Sequence, residues 1–151
     1  MSNSNKERIN VLRPYSRTQI DKVFNQVKAV MHAEALTRGN GRAIYQDCYT
    51  GKTLYGGDPY DYEHIFPSEL LHSKYKHLLS DADIALVVNC PENVAVTTRV
   101  INQSKGKHNP EYWLGQAHHL SNNDIDLPYA LANVKRAKAG IERMVAKLSG
   151  K

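Results

Sequence analysis

Cysteine is scarce in this sequence: Cys48 and Cys90 are the only two in a chain of 151 residues. A framework of several disulfides is excluded, and a reducing compartment is the simpler expectation. Long apolar runs are also missing, so no segment predicts a membrane span. The opening, MSNSNKERIN, carries charges with no apolar stretch behind them, which predicts no secretory leader. Repeats and low-complexity tracts are absent as well. These gaps together predict a cytoplasmic protein without a membrane partner.

What is present fits one globular domain spanning residues 1–151. Hydrophobic residues make up 41% of the chain and charged ones 23%, a balance that supports a packed core. The formal net charge of +5 leans toward polyanionic partners without proving one. Two amphipathic segments bracket the chain. Ile20, Val23, Phe24, Val27, Val30 and Met31 recur at helical spacing, predicting a helix over 16–38 with Ser16 as its cap and Gly39 and Gly41 ending it. Pro128 opens a second helix over 128–148, with Leu131, Val134, Ile141, Val145 and Leu148 on one side and basic residues over much of the rest. The block between them is rich in β-formers and turn residues and predicts two or three short strands around Thr50-Gly51 and Gly56-Gly57. The fold class is α+β.

Two stretches in that block concentrate chemistry. DYEHIFP sets Asp61, Glu63 and His64 on a short strand stopped by Pro67. Alternation turns Glu63 and His64 to opposite faces unless the strand bends. NVAVTTRVINQSKGK predicts a strand over 94–97, then a helix over 99–108 capped by Thr97 or Thr98, with Asn102 and Lys105 on one face. An acid, an imidazole and a carboxamide gathered at one point suit metal-assisted phosphodiester cleavage: a cation neutralises the phosphate while a neutral imidazole takes a proton from water.

These residues resemble the signature of the HNH endonucleases, a ββα-metal (His-Me) finger, here over 47–108 with residues 68–88 inserted. The resemblance implies His64 as general base, with Asn93 and Asn102 completing the catalytic set. Asn93 would brace the loop, although the insertion leaves Asn89 as an alternative. Glu63 and Asn102 would bind Mg²⁺ or Mn²⁺, with Asp61 in reserve. Lys105 would face the phosphate, and Arg99, Lys107, Arg42 and Arg38 would track the nucleic-acid backbone. The implied activity is hydrolysis of double-stranded DNA to 5′-phosphate ends, by a restriction or phage-type enzyme that nicks alone and needs a homodimer to cut both strands.

Two departures qualify the likeness. Many such fingers hold a zinc through two Cys-x-x-Cys pairs, but only Cys48 remains here, Thr98 and Ile101 stand where the second pair would lie, and Cys90 is out of register. No structural zinc is expected. The second departure is the long insertion, which predicts a short helix over 68–79. The plainer readings are a non-catalytic nucleic-acid-binding module that keeps the finger as scaffold, surface roles for His72, His77, His108, His118 and His119, and buried hydrophobic roles for both cysteines.

Overall fold

The computed structural model describes residues 9–150. The expectation about a leader rests partly on residues 1–8, outside that range. The chain runs through α1 (Thr18–Arg38), β1 (Ile44–Gln46), β2 (Thr53–Tyr55), β3 (Tyr60–His64), α2 (Ser68–Tyr75) and α3 (Asp81–Val88). A short 3₁₀ turn at Pro91–Asn93 leads into β4 (Val94–Thr98), α4 (Arg99–Lys105), α5 (Pro110–Leu114), α6 (Ala117–Asn122) and α7 (Leu127–Ser149). The class is α+β, with two separate antiparallel pairs, β1–β2 and β3–β4. No helix among the described residues is long and apolar enough to cross a membrane.

β3 and β4 pair from Tyr60↔Thr98 to His64↔Val94, and α4 follows at once. Thr98 Oγ1 accepts the Ile101 N–H at 3.2 Å, capping α4, so its hydroxyl is spent on the helix start. Ile101 is buried in the core. Both positions where a second cysteine pair would fall therefore have other work. The helix ends at Lys105, three residues earlier than its sequence predicts, because Gly106 turns the chain with φ +52° and ψ −131°, a conformation other residues rarely adopt.

The long helices hold this ββα unit from behind. Ile20 of α1, Ile84 and Val88 of α3, Val134 and Ile141 of α7 and Trp113 of α5 share one core with Cys48 and Cys90. The apolar stripe of α7 thus closes that core rather than standing free, although Leu131 remains exposed. Gly140 lets α7 approach the 3₁₀ turn: a Cβ there would sit 2.6 Å from a Glu92 carboxylate oxygen. On α1 the periodic stripe is only partly used, since Val30 is 60% exposed.

The insertion holds two helices where the sequence predicts one. Ser80 caps α3 by accepting the Asp83 N–H at 3.2 Å. The run IALVV that follows is apolar all round, and such a run has no face that distinguishes a buried helix from a strand. α5 and α6 carry no periodic stripe and had no counterpart in the sequence reading.

Candidate active site

His64 ends β3, where Ile65 donates its N–H to Asn93 O at 2.9 Å. Its ring packs 4.2 Å from that of Phe24 on α1 and is 9% exposed. Nε2 lies 2.8 Å from Asn89 Oδ1. The tautomer follows from the neighbours. Asn89 Nδ2 donates to two backbone carbonyls, Ala85 O at 2.8 Å and Ile20 O at 3.1 Å, and carbonyls only accept. The Asn89 oxygen must therefore face His64, so Nε2 carries the hydrogen and Nδ1 keeps its lone pair. Burial pushes the imidazole pKa down to about 4, and the cationic Arg17 and Lys105 act in the same direction. The ring is neutral at pH 7.

The imidazole lines an open cleft of about 210 Å³ together with Glu63, Tyr62, Asn102, Arg17 and Lys107. Glu63 is buried. Its Oε2 accepts a short hydrogen bond from the Tyr49 hydroxyl, while Oε1 has no hydrogen-bond partner among the described residues. Lys105 Nζ lies 3.5 Å from Oε1, in ion-pair contact, and donates its hydrogen bond to His64 O at 3.2 Å. Burial raises the carboxyl pKa, and Lys105 and Tyr49 oppose that rise. Tyr49 rests edge-on against Trp113, ring centres 5.7 Å apart, so α5 backs the carboxylate through one intermediate.

No protein-family model, curated protein or solved structure matches this chain.

Asn102 Nδ2 donates to Asp61 Oδ2 at 3.1 Å, which leaves the carboxamide oxygen as its acceptor. Asp61 also accepts from Arg99 Nε at 3.2 Å. Asp61 is not on the cleft wall, and its contacts orient Asn102. Asn93 is fully buried, with Oδ1 on Phe66 N at 2.8 Å and Nδ2 on Val88 O and Phe66 O at 2.8 and 3.1 Å. It frames the loop after β3, with both its amide oxygen and its amide nitrogen engaged by the backbone. Asn89 and Asn93 thus hold different posts: one orients the imidazole, the other braces the loop.

Four of the expected phosphate contacts, Lys105, Arg42, Arg38 and Arg99, do not line the cleft. Lys105 is 1% exposed and cannot reach a nucleic-acid backbone. It follows Ile101 by four residues, so both lie on the inward face of α4, where the carboxylate of Glu63 receives the ammonium. Arg42 sits over the Tyr55 ring, 4.7 Å from its centre, beside the β1–β2 pair and off the cleft. Arg38 donates to Ile44 O at 2.8 Å. Lys107 does line the cleft, paired with Glu69 at 3.2 Å.

Sequence reasoning missed Tyr49 and Arg17 and left Asn89 as an alternative. The carboxamide of Asn89 at the end of an apolar helix was the available signal. Tyr49 lies 14 residues from Glu63, and no local pattern links them.

A hard divalent cation favours oxygen donors. Glu63 Oε1, which accepts no hydrogen bond but faces the Lys105 ammonium at 3.5 Å, and the Asn102 carboxamide oxygen are the oxygen donors on offer. Among the described residues no group of three or more His, Cys, Asp or Glu side chains is placed to hold a metal. A cation here would therefore have to take further oxygens from substrate and water.

Proposed function

We propose that this chain is an HNH-type endonuclease that hydrolyses DNA phosphodiester bonds with a single divalent metal. The observation that carries the reading is the state of His64. It is neutral, its hydrogen is fixed on Nε2 by Asn89, and its lone pair on Nδ1 belongs to a ring that lines the same cleft as Glu63 and Asn102. An imidazole so held is unprotonated at neutral pH, the form that a general base requires.

Glu63 and Asn102 would hold Mg²⁺ or Mn²⁺, which would supply neutralisation of charge on the phosphate and on the departing 3′ oxygen. Asp61 keeps the Asn102 amide turned so that its oxygen remains the free end. Lys105 limits the charge of the buried carboxylate and ties α4 to the carbonyl of the base itself. A scaffold that only bound nucleic acid would keep the same Glu63–Lys105 pair and the same buried imidazole contact, so cleavage is what distinguishes it.

Supercoiled plasmid separates the two readings. Conversion to open-circle or linear DNA in Mg²⁺, abolished by EDTA and by His64→Ala with binding retained, is expected. A His64→Ala protein that cuts at the native rate would remove the imidazole from the mechanism. Salt-sensitive binding with no cleavage by the native protein would select the module.

A further inference from the structure

We propose that Arg17, outside the finger, is a phosphate-binding residue of this cleft and takes a backbone phosphate of the bound strand; the proposal rests on the nuclease reading. Arg17 precedes α1 and lines the cleft beside His64 and Asn102. Its guanidinium is held from two sides. Nε and Nη2 donate to Asp21 Oδ1 at 3.0 and 2.8 Å, and Nη1 donates to Ser68 Oγ at 3.0 Å. Ser68 is itself buried and lies 2.5 Å from the Tyr15 hydroxyl.

An ion pair one turn apart on a helix needs no third support. Here the start of α2 and the segment before α1 both contribute to fixing one fork. Three of the five guanidinium N–H groups are committed by these bonds and Tyr15 lies alongside as a further partner, so at least one N–H remains for an acceptor. A planar fork already held in place suits a tetrahedral oxyanion and loses little freedom on binding it. The other cation on the wall, Lys107, is largely exposed and paired with Glu69, which makes it a poorer fixed anchor. With Lys105 buried against Glu63, Arg17 takes the phosphate-facing role that the helix lysine does not fill.

The test compares Arg17→Gln and Arg17→Lys with the native protein, all checked for native melting. Binding is read by anisotropy of a labelled short duplex in EDTA across a salt series, and cleavage is read in Mg²⁺. Loss of one phosphate contact should lower the slope of log Kd against log salt by roughly 0.9 in Arg17→Gln and leave it near native in Arg17→Lys. Cleavage kcat/KM should fall about 10- to 100-fold in Arg17→Gln and less in Arg17→Lys. An unchanged slope and affinity in Arg17→Gln overturns the proposal. Should Arg17→Gln fail to fold, native kcat/KM in Arg17→Lys overturns it, because the ammonium lacks the fork. If the native protein binds DNA but never cuts, the nuclease reading falls and the salt slope alone still judges Arg17. If it binds no nucleic acid, both fall.

Discussion

At the scale of single residues, the cleft is built on proton bookkeeping that the fold enforces. Asn89 decides which nitrogen of His64 is basic, so Asn89→Leu should lower kcat about 10- to 100-fold with little change in KM, measured by steady-state cleavage on protein that still melts cooperatively. His64 also links stability to acid. Its folded pKa of about 4 lies below the usual 6.5, so the unfolded chain binds the proton more tightly between those values. The stabilisation is fully present above pH 6.5 and is lost as pH falls toward 4, on the order of 3 kcal/mol at the limit. The raised carboxyl of Glu63 runs the other way, favouring the fold at low pH and losing that contribution as pH rises. Urea titrations between pH 4 and 6.5 should show His64→Phe with a flatter dependence than the native protein.

Among the elements, one buried ion pair, Glu63–Lys105, joins β3 to α4 beside the Asp61 contacts to Asn102 and Arg99. Removing Lys105 alone strands the Glu63 carboxylate away from water, and Lys105→Met should cost about 3–5 kcal/mol in urea denaturation. Neutralising both partners in Glu63→Gln/Lys105→Met should cost less than that single change; equal or greater loss would mean that the pair is not what couples strand to helix. The same element shows where a sequence can be read and where it cannot. Spacing alone located β3, β4, α4 and the flanking α1 and α7, because each has a face or a turn signal. α4 gave no warning that Lys105 points inward, since burial of an ammonium depends on a carboxylate 42 positions earlier. α3 was hidden by its uniform apolarity, and Arg17 by lying outside any motif.

For the molecule as a whole, the proposed nuclease has one cleft and would cut one strand at a time. The α7 stripe that could have joined two copies is occupied in the core, where Val134 and Ile141 pack with α1 and α3 neighbours. The expected course on supercoiled plasmid is therefore accumulation of open circles well before linear product, followed on agarose gels over time; linear DNA appearing first, without a nicked intermediate, would require two sites acting together.

The two thiols give this architecture a built-in reporter. Cys48 and Cys90 are buried, and burial raises the pKa of both, that of Cys90 to about 11. A thiol is alkylated only as its thiolate and only when a reagent reaches it. Cys48 lies just after β1 and donates its N–H to Val96 O, whereas Cys90 follows α3. Their separate rates of modification record whether the strand side and the helix side of the core come apart in one event or in two.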